Sequence, residues 1–167
     1  MTMKFQDSAG ITMSSVSAVL SLGTTSTYTT TVTTEAIING KWGTTLGAQT
    51  NTATPTTDAN TGVAFPPVPI NNAVAIVFGI TLAGAIAMVQ GPITPTAVGV
   101  TSTAGAFINP PQFPPLPDNF CPLGYTLVRV APSAAPFVAG TSSWTASGIT
   151  SLAVVNIAAL PDRPQIS

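Results

Sequence analysis

The sequence predicts an all-β fold, a β-sandwich or jelly-roll-like barrel, and three observations carry that expectation. Short apolar segments recur between turns marked by glycine and proline, with 14 glycines and 16 prolines in 167 residues. Threonine and serine fill the polar positions, and neutral hydroxyl side chains favour strands and local backbone hydrogen bonds over long helices. The longest apolar run, Ala73 to Val89, is rich in β-branched residues.

In chain order, residues 1–27 come first and show no firm period. Ile11, Ala18, Val19 and Leu22 would share a helical face, whereas Val16, Ala18, Leu20 and Leu22 alternate like a strand. We read this stretch as an N-terminal arm or attachment segment, ordered against a partner, ahead of a β domain over residues 28–167. Tyr28 to Ile38 reads as one strand, with Tyr28, Val32, Ala36 and Ile38 on one face and Thr29, Thr31, Thr33 and Glu35 on the other. Asn39-Gly40 is a strong hairpin signal. Gly43, Gly47 and the run Asn51–Gly62 read as loop.

Phe65-Pro66-Pro67-Val68-Pro69 is a stiff lead into the apolar run. The run is expected to form strands at Ala73–Ile80 and Ala85–Gln90, hidden on both faces and joined by a tight turn at Ala83-Gly84. A membrane helix through residues 73–89 is the alternative, since the length suffices. Against it, Gly79 and Gly84 interrupt the run, and its flanks lack the Lys, Arg, Trp and Tyr that mark a membrane boundary.

Val98 to Thr101 reads as a further strand. Residues 109–117 form a Pro-rich connector whose Phe113-Pro114-Pro115-Leu116-Pro117 echoes the earlier lead and precedes a strand at Tyr125–Val130. The echo suggests an internal duplication. Strand-like segments follow around Phe137 and Trp144, with a turn at Ser147-Gly148 and an apolar run from Ile149 to Ile157. Pro161 and Pro164 then enforce an extended ending.

Composition narrows the function. Charged residues make up 5% of the chain and the net charge is −1, although 45% of residues are hydrophobic. Repulsion would do little to keep copies apart, so self-association is expected. The basic residues are Lys4, Lys41, Arg129 and Arg163, too few for a phosphate-binding face, and no nucleic-acid partner is expected. Lys4 is followed closely by Asp7, and Ser17 and Ser21 break the apolar stretch after it. Both argue against a secretory signal and for synthesis inside the cell.

Candidate chemistry is sparse. The chain has no histidine, which removes the commonest general base and metal ligand. Cys121 is the only cysteine and reads as a buried structural thiol. Asp7, Glu35, Asp58, Asp118 and Asp162 are scattered. Asp118 and Asp162 each follow a Leu-Pro pair, so a folded pairing is conceivable, but turn-capping acids are the plainer reading. No catalytic residue, metal or cofactor is expected. Trp42, Trp144 and Tyr125 could stack on sugar rings, although large aromatics more often fill a core or an interface. Arg129, inside an apparent strand, should pair with a carboxylate, across a subunit boundary if need be. Arg163 beside Asp162 reads as a surface pair.

Several pieces resemble a family of small virion structural proteins of tailed bacteriophages, of the head-decoration or head-fibre kind. They are Ile38-Asn39-Gly40-Lys41, Thr54-Pro55-Thr56 with Asp58 and Thr61-Gly62, and Gln90-Gly91. They continue with Phe113 to Pro117 leading to Cys121-Pro122-Leu123-Gly124-Tyr125, then Gly140-Thr141-Ser142 and Leu160-Pro161-Asp162-Arg163-Pro164-Gln165. The similarity spans roughly residues 28–167 and rests on turn residues. It implies a β-rich homotrimer on the outside of an icosahedral capsid, made in the host cytoplasm, bound to the major capsid protein and without catalytic residues.

The first expectation is therefore a non-enzymatic capsid decoration or cement protein acting as a homo-oligomer, with Trp42, Phe65, Phe113, Tyr125, Arg129 and Trp144 as interface residues. A receptor-binding tail-fibre or head-fibre domain recognising a glycan or surface protein is the second. A small membrane protein is the third.

Overall fold

The computed structural model describes residues 11–161 and Pro164. Lys4, Asp7, Asp162, Arg163 and Gln165 lie outside the described residues, and with them the leader reading, the Asp118–Asp162 pairing and the Asp162–Arg163 pair. The described chain is all-β, in several antiparallel sheets, and contains no helix.

The strands are β1 (Met13–Ser14), β2 (Leu20–Leu22), β3 (Thr27–Thr30), β4 (Thr34–Ile38), β5 (Lys41–Leu46) and β6 (Gln49–Ala53). They continue with β7 (Asn72–Thr81), β8 (Ile86–Gln90), β9 (Thr94–Pro95), β10 (Phe120–Val130), β11 (Ile149–Ser151) and β12 (Val155–Asn156). β7 and β10 pair antiparallel along their length, from Phe120↔Thr81 to Arg129↔Ala73. β8 and β9 flank β7, and β11 and β12 flank β10, which completes a 6-stranded central sheet.

Both faces of this sheet are covered. Against one face, two 3-stranded sheets, β1-β4-β5 and β2-β3-β6, pack Ala36, Ile38, Leu46, Leu20 and Tyr28 onto Val74, Ile76, Phe78 and Leu123. Against the other, Phe107, then Phe113 and Leu116 of the Pro-rich stretch, and Leu152, Val155, Ile157 and Leu160 cover Ala75, Val77, Val89, Tyr125 and Leu127. The connector is thus a strap over one side of a sandwich. Burial on both sides explains why β7 is apolar at every position from Ala73 to Phe78 instead of alternating.

The apolar run therefore forms the expected pair of strands around a turn at residues 82–85, and no helix of the described chain is long and apolar enough to cross a membrane. β10 starts earlier than expected, at Phe120, and includes Pro122. Proline cannot donate to a ladder, and the register shifts between Pro122 and Gly124 to absorb it. Opposite Pro122 stands Gly79, where a Cβ would run into the Phe120 ring and the Cys121 carbonyl.

Other expectations are corrected. Residues 11–27 are no separate arm: β1 and β2 pair into the two small sheets, and Ala18 and Leu20 are buried. Tyr28–Ile38 is broken at residues 31–33, so that β3 and β4 join different sheets and Val32 is exposed. β6 takes up Asn51–Ala53 from the expected loop, and Gly43 lies within β5. Val98–Thr101 is not a strand: its end enters a tight turn at residues 101–102, closed by hydrogen bonds between Val100 and Thr103. The run Ile149–Ile157 divides into β11 and β12, because Leu152 to Val154 leave the ladder while Leu152 caps Leu127 and Thr126. The two Phe-Pro-Pro leads land on opposite faces of the central sheet, Phe65 with the small sheets and Phe113 in the strap. The two-fold relating antiparallel neighbours preserves faces, so the echo is not a structural repeat.

Candidate interaction surface

The proposed interface residues separate sharply. Phe65, Tyr125 and Trp144 are buried within the single chain, while Trp42 is 62% exposed. Trp144 lies between Phe78 and Phe137, with ring centroids 6.1 and 5.3 Å away, and its indole Nε1 has no hydrogen-bond partner among the described residues. Phe113 is half-buried and meets the edge of Tyr125 at 4.8 Å and 82°. These aromatics fill the core and hold the strap.

Among the described residues, Arg129 meets a carbonyl and an aromatic ring and no carboxylate. Its Nη1 donates to the Gly105 carbonyl at 2.9 Å, and its guanidinium carbon lies 5.2 Å from the centre of the Phe107 ring. The carbonyl takes one guanidinium N–H and the ring face offers the cation a favourable electrostatic contact.

The sheet β1-β4-β5 builds the surface around Trp42. The register places Met13 opposite Ile37 and Ile37 opposite Trp42. Paired residues share a face, so these three form an apolar row across the sheet, with Met13 and Trp42 exposed and Ile37 half-buried. The next row carries Glu35 opposite Thr45, both exposed. On the inner side Ser14, Ala36 and Thr44 line up and are buried.

A β-bulge makes this sorting possible. The register shifts between Ala36 and Ile37, with Gly43 as the extra residue at φ 107. Nothing lies near the position of a Cβ there, so the glycine is required by its backbone angle and not by space. With the bulge, Trp42 points outward while Thr44 and Leu46 point inward. Without it, Leu46 would face solvent.

The hairpin end of this sheet is tied down. Asn39 and Gly40 have φ of 52 and 74, as a two-residue turn with both central angles positive requires. Asn39 Nδ2 donates to the Asp118 carbonyl at 2.8 Å and to Asn119 Oδ1 at 3.1 Å, and Gly40 N donates to Ile11 O at 3.1 Å. Beside it, an open groove of about 490 Å³ is lined by Leu82, Asp118, Asn119 and Phe120 among others, with Asp118 as its carboxylate.

At the other end of the central strands a second apolar tip is pinned in place. Val98 and Val100 are 79% and 76% exposed. Their loop is held by Asn71, which takes Gly99 N on Oδ1 at 3.2 Å, and by Ser133, whose hydroxyl donates to Thr101 O at 2.8 Å.

Little reactive chemistry is assembled. No group of three or more His, Cys, Asp or Glu among the described residues is placed to hold a metal ion. Asp58, buried, accepts Asn60 N and Gln90 N, each at 2.8 Å, and so pins its loop to β8. Burial pushes the Cys121 thiol up to about 11 and raises the Tyr28 hydroxyl.

Of the outer row, Ile37 was legible from the alternation along β4. Met13 was not, because residues 1–27 carry no dominant period. No family model, no curated protein and no solved structure matches this chain.

Proposed function

We propose that the protein is a non-enzymatic structural component of a virus particle, a decoration or cement protein that binds the outside of a tailed-bacteriophage head as a homo-oligomer. On this reading it is made in the host cytoplasm and its partners are further copies of itself, three by the resemblance, and the major capsid protein. The observation that carries it is the surface. Among the described residues the exposed charged side chains are Glu35, Lys41 and Asp118, against a dozen exposed large apolar ones that include Trp42, Val98 and Val100. Such a surface suits a molecule that spends its working life partly covered. Apolar groups at both ends of the central strands, each fixed by side-chain hydrogen bonds, suit contact with neighbours on two sides. Negative-stain or cryo-electron microscopy of particles with and without the protein tests this. Added surface density is the expected result, and particles identical in both samples would overturn it.

A second reading, a receptor-binding domain, draws on Trp42, an exposed indole on a sheet face edged by Thr45 and Glu35, which suits stacking on a sugar ring. Glycan-array binding abolished by Trp42→Ala would favour it, and an array without signal would remove it.

A further inference from the structure

Asn39-Gly40 is the only Asn-Gly pair in the chain. Every other asparagine is followed by a residue whose side chain crowds the main-chain nitrogen next to it, and at Asn39 that crowding is absent. Both residues of the pair are exposed at the turn between β4 and β5.

We propose that Asn39 is a site of self-modification, at which the Gly40 main-chain nitrogen displaces the side-chain amide, and that the reaction frees the hairpin end of the β1-β4-β5 sheet from the two segments that hold it. In the first step a bond forms between Gly40 N and Asn39 Cγ and the Cγ–Nδ2 bond breaks. Nδ2 leaves as ammonia, taking the proton from Gly40 N, and a cyclic imide remains. Water then adds to one of the two imide carbonyls. Addition at Cγ gives an ordinary aspartyl residue, and addition at the main-chain carbonyl gives the isoaspartyl form, whose backbone runs through the side-chain carbon. No oxidant or reductant takes part.

The bonds this chemistry consumes are the ones that tie the turn down. Asn39 Nδ2, the atom that leaves, donates to the Asp118 carbonyl at 2.8 Å and to Asn119 Oδ1 at 3.1 Å. The proton that is lost is the one Gly40 N donates to the Ile11 carbonyl at 3.1 Å. The native fold must give up all three bonds for the ring to close, which slows the step in the folded chain. The opening needed is local, because β1 is a two-residue edge strand held to β4 alone. Hydrolysis does not restore the tie. A carboxylate then faces the Asp118 carbonyl where an N–H stood. Asn119 can turn its amide to donate, but a main-chain carbonyl cannot. The isoaspartyl form also lengthens the backbone of a two-residue turn built on φ of 52 and 74.

Incubation of the full chain at mildly alkaline pH, native and unfolded in guanidinium, tests the proposal. Peptide mass spectrometry follows the replacement of NH2 by OH at each asparagine. Asn39 is expected to convert before any other asparagine in the unfolded chain and about tenfold more slowly, or slower still, in the native one. Asn119→Ala removes one acceptor and should speed native conversion about fivefold. Converted protein, separated by its added negative charge, should exchange amide hydrogen faster at Gly40 and at Ser15, whose N–H is held by Glu35 O, with β7 and β10 unchanged. Another asparagine converting first overturns the proposal, as do equal rates in the native and unfolded chains. So does a folded Asn119→Ala variant that converts at the wild-type rate, or a converted protein that exchanges like the starting one. Thermal unfolding shows whether Asn119→Ala folds, and the comparison of native with unfolded wild type needs no variant.

Discussion

The carboxamide of Asn156 holds both backbone polar groups of Leu20. Its Oδ1 accepts the Leu20 N–H at 2.6 Å and its Nδ2 donates to the Leu20 carbonyl at 3.1 Å. One side chain thus acts as a missing strand partner and joins β2, in the small sheet, to β12, in the central one. Removing it in Asn156→Ala leaves a part-buried donor and acceptor unpaired, at a cost of about 2–3 kcal/mol. Asn156→Asp keeps the acceptor but sets a carboxylate against the Leu20 carbonyl, and should fare no better at neutral pH. Urea unfolding measures both, and an alanine variant within about 0.5 kcal/mol of wild type would refute the role.

Gly79 is hemmed in by the Phe120 ring and the Cys121 carbonyl, opposite the Pro122 irregularity. Backbone cannot retreat as a side-chain tip can, so Gly79→Ala should destabilise by about 1–3 kcal/mol or more. The same exchange at Gly47, where nothing lies near a Cβ and φ is not positive, should be close to neutral. Equal effects at the two positions would contradict the packing described.

The two tryptophans should behave in opposite ways. Trp144→Ala empties a buried site between Phe78 and Phe137 and is expected to cost about 3–5 kcal/mol. Trp42→Ala alters an exposed side chain and should change the stability of the isolated chain by less than about 0.5 kcal/mol. Paired thermal melts decide the matter, with the emission maximum of Trp144 expected to be the bluer of the two.

Burial also makes the protein sensitive to alkali. The Cys121 thiol is pushed from its ordinary 9.0 up to about 11. Between those values the unfolded chain has released a proton that the native chain retains, so raising the pH favours unfolding. The stability linked to this group is complete below about pH 9 and lost as the pH passes about 11. Tyr28, raised by burial as well, acts in the same direction. Stability measured from pH 8 to 11 should fall, and Cys121→Ala should flatten part of that fall. A thiol-alkylating reagent should leave native Cys121 unmodified at pH 8, and rapid modification would contradict its burial.

Much of the fold was legible along the chain. The β7–β8 pair, its turn and its double-sided burial followed from the apolar run Ala73 to Val89 with Gly84 at its turn, and the Asn39-Gly40 turn followed from its dipeptide. The sorting of the aromatics was harder to read. Trp42 and Trp144 are the same residue type, yet one is fixed outward by the Gly43 bulge and the other is enclosed by Phe78 and Phe137, which are remote from it or from each other in sequence. The contacts of Arg129 were out of reach for a related reason, since the Gly105 carbonyl and the Phe107 ring lie more than twenty residues away and nothing local to the strand announces them.

What the sequence by itself determined is the local grammar: strands where β-branched and threonine residues cluster, turns where glycine, proline and asparagine fall, and a surface almost without charge. These follow from backbone sterics and side-chain solvation, which act over a few residues. What only the tertiary structure decided is which face each strand offers, that the Pro-rich connector is a strap, and that Met13, Ile37 and Trp42 form one row beside Glu35. Those depend on pairings between distant strands, and a single extra residue such as Gly43 reverses the outcome for everything beyond it.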